Sequence, residues 1–103
     1  MQEIPLLSIA NQSLNVVLDP GEFTITLREG NGVMLADIVL EGVTLVSGVR
    51  CLAQEPVIPY YYLQNGNFVF QTVDNALPYW DQFGTTQSLF FLTDDEMAGN
   101  VSN

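Results

Sequence analysis

The residues that could carry chemistry in this chain are few, and nearly all of them are carboxylates. Twelve Asp and Glu stand against two cations, Arg28 and Arg50, and there is no histidine. Histidine is the usual proton carrier at neutral pH, so its absence removes the Ser-His-Asp and Cys-His arrangements together. Two carboxylates can hydrolyse a glycosidic bond on their own, one as acid and the other as base or nucleophile. Asp74 and Asp81 are the best pair for that task, because they flank Tyr79 and Trp80. A chain of 103 residues, however, has no second lobe with which to build a cleft, and loop carboxylates beside a packed tryptophan account for the pattern without catalysis. Asp94-Asp95-Glu96 could hold a hard cation through oxygen, yet a solvated charge run in a polar tail is the simpler account. No residue is therefore assigned a catalytic, cofactor-binding or metal-binding role. No cofactor is expected, and the chain reads as a non-enzyme.

Binding chemistry fares little better. Tyr60-Tyr61-Tyr62 and Tyr79-Trp80 could stack on a sugar, as aromatic faces do in carbohydrate-binding modules for host surface recognition. A strand sends alternate tyrosines to opposite faces, so at least one of the three must point inward, and core packing explains them as well. Gly30-Asn31-Gly32 has no lysine and runs into an apolar strand, whereas a phosphate loop needs the lysine and a following helix. A formal charge of −10 repels nucleic acid, and two arginines make no basic patch. Stable nucleic-acid binding is not expected. Cys51 is the sole cysteine, so no intramolecular disulfide can form, and it reads as a small buried hydrophobe. No stretch reaches the roughly 18 apolar residues of a membrane helix, and Met1-Gln2-Glu3 lacks the positive charge that opens a signal peptide. No membrane association is expected, and the chain should stay in the cytosol or in something assembled there. Asn11-Gln12-Ser13 and Asn100-Val101-Ser102 match the glycosylation pattern only by coincidence in such a chain.

With chemistry so thinly supplied, the elements themselves carry the reading. Apolar residues make up 48% of the chain and charged ones 14%, enough burial to offset the ordering entropy of one domain. Glu22 to Arg28 alternates strictly, with Phe23, Ile25 and Leu27 on one face. Asp19-Pro20-Gly21 before it is a turn signal that makes Leu14 to Leu18 its antiparallel partner. Glu29-Gly30-Asn31-Gly32 supplies a second hairpin loop into Val33 to Leu40, and Glu41-Gly42 a two-residue turn into Val43 to Leu52. Counting out from that turn places Leu40 opposite Val43, Ile38 opposite Leu45, Ala36 opposite Ser47 and Met34 opposite Val49. The other face then carries Val33, Leu35, Val39 and Val46 beside Asp37, Thr44 and Arg50, which is too apolar to stand bare in water. A partner interface is therefore expected at Leu35, Val39 and Val46, with Asp37 and Arg50 at its edges. Pro56 and Pro59 bar the segment 54–59 from a central strand. Tyr60 to Leu63 and Phe68 to Thr72 should form a third hairpin, Asp74 to Asp81 an irregular loop, and Thr85 to Leu92 a last strand. The fold class is all-β: a small antiparallel β-sandwich or partly open barrel of six to eight strands. It occupies residues 1–92 as a single domain, and the acidic stretch 93–103 is expected to fray.

From Ile4-Pro5-Leu6 through Leu18 the sequence resembles the small baseplate plug proteins of contractile-tailed phages of the cyanophage type. The likeness continues through Thr24-Ile25-Thr26-Leu27, the glycine hairpin, Val46-Ser47-Gly48-Val49, a tyrosine-rich strand, an aspartate-containing loop and a final apolar strand, in that order. It spans roughly residues 4 to 92 and leaves the acidic tail outside. None of these motifs is catalytic. The resemblance implies a structural subunit of the virion tail baseplate near the tail axis, packed against hub and tail-tube proteins, made in the host cytoplasm and helping to close the lumen before DNA ejection. Contact between copies of the chain within the virion is also compatible with it.

Overall fold

The computed structural model describes residues 1–58 and 66–97. Its strands are β1 (Gln2–Ile4), β2 (Gln12–Leu18), β3 (Gly21–Gly30), β4 (Val33–Leu40), β5 (Val43–Arg50), β6 (Asn67–Thr72) and β7 (Gln87–Leu92), followed by a single helical turn, α1 (Asp94–Met97). They make two antiparallel sheets, one ordered β2-β3-β4-β5 and the other β1-β7-β6. This is the expected β-sandwich, and the sheets do not close into a barrel.

The four-stranded sheet follows from its turns. β2 pairs with β3 from Leu18↔Gly21 to Gln12↔Leu27 without a break, so the partner strand is longer than Leu14 to Leu18. Asn31-Gly32 and Glu41-Gly42 both take positive φ at both residues, the conformation of primed hairpin turns whose twist matches the flanking strands. The alternation read along β3 holds, with Phe23, Ile25 and Leu27 buried.

The β4-β5 hairpin departs from the expected register. Leu40 does sit opposite Val43, but Ile38 faces Val46 and Ala36 faces Val49, with register shifts on either side of Ile38. Each extra residue is a β-bulge that turns the strand by one position. Asp37 supports the second of them, since its Oδ1 accepts the Gly48 N–H at 2.5 Å, and Gly48 has the positive φ such a kink requires. Because a one-residue slip exchanges faces, Val46 points inward and is only 5% exposed.

Phe23 of β3 meets Phe68 of β6 edge-on at 5.1 Å and Phe91 of β7 at 5.7 Å, so three phenylalanines join the two sheets across the core. Such pairs add about 0.5–1.5 kcal/mol each beyond their burial. The proline-containing segment lies along the outer edge of β6: Gln54 and Val57 donate backbone N–H groups to Phe70 and Phe68. The expected strand Tyr60 to Leu63 lies outside the described residues. The tail through Met97, expected to fray, forms a capped turn instead. Thr93 N–H donates to Glu96 and the Glu96 N–H donates back to the Thr93 hydroxyl, a reciprocal capping box.

Candidate partner surfaces

The outer face of the four-stranded sheet is built in rows by the strand register. Ser13, Thr26 and Asp37 form one row, Asn15, Thr24, Val39 and Thr44 the next, and Arg28, Leu35 and Arg50 a third. Neighbouring side chains bond across the strands: Thr24 Oγ1 donates to Asn15 Oδ1 at 2.9 Å, and the Ser13 and Thr26 hydroxyls lie 3.1 Å apart. Val39 stands between two threonines and Leu35 between two arginines.

Four of the five residues expected at a partner interface, Leu35, Asp37, Val39 and Arg50, share this face. Val46 does not. It packs opposite Ile38 in the protein's own core, because the bulges carried it to the other side. Asp37 is also placed differently from the expected edge position. It sits mid-face, where its carboxylate takes Arg28 Nη2 at 3.0 Å as well as the Gly48 N–H. The Arg28 bond is the main cause holding the Asp37 carboxyl below its ordinary value, the Gly48 N–H works in the same direction, and partial burial opposes both. Arg28 is correspondingly raised by Asp37. The pairing follows from the Gly30↔Val33 turn register, which puts Arg28 diagonally beside Asp37, and it was readable from the sequence once that turn was assigned.

The alternative chemistries are spread apart. Asp74 lies in a 3-10 turn, Val73–Asn75, and Asp81 in another, Trp80–Gln82, and both are exposed. Tyr79 and Trp80 are half-buried against the core with rings tilted 39° to each other, so they present no flat platform. The Tyr60-Tyr61-Tyr62 platform lies outside the described residues. Asp94 accepts the Gly66 N–H, and Glu96 accepts both the Thr93 N–H and the Met1 amino group. Among the described residues no three Asp, Glu, Cys or His gather as a metal-binding group. Cys51 is buried, and burial pushes its thiol up to about 12.

Sequence reasoning passed over the side chains that shape the loops, which are carboxamides. Gln12 takes the Leu7 N–H and donates to the Leu7 and Ile9 carbonyls. Asn67, buried, pairs with both the N–H and the C=O of Ile58 at 2.8 and 2.6 Å. Gln87, also buried, takes the Tyr79 N–H and donates to the Leu77 carbonyl. Each amide offers one donor group and one acceptor in a plane, so it can imitate a strand neighbour for a short piece of irregular backbone. Nothing in spacing marks these residues, because their partners are backbone groups brought near only by the fold.

The family model for the cyanophage baseplate Pam3 plug gp18 matches residues 1–95 of the chain. The chain belongs to this cyanophage baseplate plug family. A comparison with curated proteins finds no match. The match takes in every strand of both sheets and enters α1. Membership in the plug family supports a structural role in the tail baseplate of a virion, among other baseplate components. No helix among the described residues is long and apolar enough to cross a membrane.

Proposed function

We propose that this plug sits near the tail axis, packs against hub and tail-tube proteins through the outer face of β2-β3-β4-β5, helps close the lumen before DNA ejection, and performs no catalysis. The observation that carries the reading is the family match over residues 1–95, which covers the whole sandwich. Two features support it. Leu35 and Val39 lie on a sheet face that the core does not use, ringed by hydroxyls and by Arg28, Asp37 and Arg50. Stable protein contacts bury about 800 Å² per partner, which a face of this breadth and its loops can supply. The charge of −10 opposes lasting contact with phosphates, as a part beside a DNA conduit requires.

Val39→Glu tests the contact face. In isolation the carboxylate reaches solvent and the protein folds. In the baseplate it becomes an unpaired buried charge, at a cost of about 3–5 kcal/mol, and the variant is left out of assembled tails. Incorporation at the wild-type level would remove this face from the contact, and absence of the wild-type chain from purified tails would refute the baseplate role itself.

A further inference from the structure

The two sheets have edges, and three of those edges are guarded. β5 carries two register shifts, a glycine with positive φ at Gly48 and a terminal arginine. The outer edge of β6 is covered by Gln54 to Val57. β1 is only three residues long. Bulges, charges, cover and shortness are the usual means by which a sheet avoids pairing with other chains. β2 has none of them. It runs for seven residues in unbroken register with β3, and Gln12 to Leu18 contains no charge and no proline.

Its free edge is also directed outward in a definite pattern. Glu22 donates its N–H to the Glu41 carboxylate and accepts the Glu41 N–H on its C=O, so both of its backbone groups point toward β4. Its register partner Val17 therefore belongs to a pair that does not exchange hydrogen bonds with β3. In an antiparallel ladder such pairs alternate, which turns the N–H and C=O groups of Val17, Asn15 and Ser13 away from the sheet. Among the described residues nothing pairs with them.

Beside the end of this edge a groove of about 460 Å³ opens between β2 and the opposite sheet. It is lined by Met1, Val17, Leu18 and Phe91, with Asp19 in its wall and Glu96 there too, already paired with the Met1 amino group. A strand added outside β2 would turn every second side chain toward this gap, where the apolar wall suits an aliphatic stem and Asp19, the carboxylate there that no cation among the described residues neutralises, a cation at its tip.

We infer that the β2 edge accepts an extended segment of another baseplate protein as a fifth strand, with a Lys or Arg of that segment in the groove beside Asp19. A second copy of this chain is a poor donor, since it brings its own charge of −10 to an acidic groove. The choice of donor rests on the baseplate reading; the open edge does not. Strand addition supplies affinity through main-chain bonds and specificity through the alternate side chains.

Amide hydrogen exchange, compared between the isolated full-length chain and the same chain in purified tails, tests this directly. Peptides covering residues 12–18 should exchange at least about tenfold more slowly in tails, because paired amides open only with the sheet. Val17→Pro removes one outward donor without touching a bond to β3 and should lower incorporation into tails at least about tenfold, whereas Val17→Thr should incorporate normally. Asp19→Lys, on an exposed turn, should lower incorporation severalfold. If Val17→Pro does not fold, exchange on the unmodified chain decides alone. Unchanged exchange of residues 12–18 in tails that contain the chain overturns the strand addition and leaves the baseplate reading standing. Absence of the chain from tails overturns both. Protection that appears in the isolated chain as its concentration rises would make the added strand a second copy and overturn the heterologous donor, and normal incorporation of Asp19→Lys would overturn the basic side chain.

Discussion

Replacing Val46 and Val39 in turn by threonine separates the two faces of the central hairpin, because the substitution changes polarity and almost nothing in volume. Val46 is 5% exposed and sits opposite Ile38 in the core. A hydroxyl introduced there loses water, at a cost of about 1–3 kcal/mol by mutational standards. For a domain of this size each kcal/mol moves the melting temperature by about 4–8 °C, so Val46→Thr should melt at least about 4 °C lower. Val39 lies on the outer face between Thr24 and Thr44. A third hydroxyl in that row remains hydrated or bonds to its neighbours, and the change should stay within about 0.5 kcal/mol. Thermal unfolding followed by far-ultraviolet circular dichroism reads both shifts. Counted outward from Glu41-Gly42 without bulges, the register puts Val46 on the outer face beside Val39, and the two variants should then behave alike. Equal shifts, or a larger shift for Val39→Thr, would refute the bulged register and restore Val46 to the outer face.

Asp37 has a folded-state pKa below its unfolded value, so its contribution is present above about pH 4 and is lost as pH falls through the folded value. The stability gap between the wild type and Asp37→Asn should therefore narrow on acidification, and a gap that is independent of pH would contradict the Arg28 and Gly48 contacts. Cys51, pushed up to about 12 by burial, should resist a thiol reagent at pH 8 until the protein is unfolded. Its favourable contribution is present below the unfolded thiol pKa of about 8.5 and fades as pH rises from there toward the folded value. Asn67→Ala strips the Ile58 N–H and C=O of their partner and should cost about 1–3 kcal/mol in urea unfolding, where an unchanged midpoint would show that the amide clamp contributes nothing.

The reach of the sequence differs between neighbouring elements for identifiable reasons. β3 was readable because each of its apolar residues has one parity, so only one register buries Phe23, Ile25 and Leu27 together. β5 was not, since Val43, Leu45, Val46 and Val49 fall on both parities and period-two alternation has no preference among them. There the register is set by a tertiary contact, the Asp37 carboxylate capturing the Gly48 N–H, which no pattern within β5 contains. The helical turn after Thr93 was hidden by the opposite problem. Its capping residues Thr93 and Glu96 have the right spacing, but they stand in an acidic run that reads equally well as a solvated tail. Of the five residues expected at a partner interface, Leu35, Asp37, Val39 and Arg50 share the outer face, and Val46 was carried to the core by the bulge.

The absence of lysine and histidine has a structural counterpart in how the loops are held. The irregular segments around Leu7, Ile58 and Tyr79 are tied by Gln12, Asn67 and Gln87, neutral groups that neither titrate nor attract counterions. Salt screens charged contacts over about 8–10 Å at moderate ionic strength, but it leaves such amide pairs nearly untouched. The shape of these three segments is thus little affected by pH and ionic strength. The carboxylates lie mostly on turns and at the surface, where Glu29, Glu41, Asp94 and Glu96 accept backbone N–H groups and all of them set the long-range field of the molecule. In the middle of the outer sheet face Arg28 and Asp37 form a charged pair. Half-exposed as it is, that pair contributes little to folding, yet its Asp37 carboxylate also holds the Gly48 N–H at the kink that sets which side of β5 meets the core. A contact built on this face would inherit that dependence: loss of the Asp37 charge would loosen the Gly48 kink, and with it both the outer face and the seating of Val46 in the core behind it.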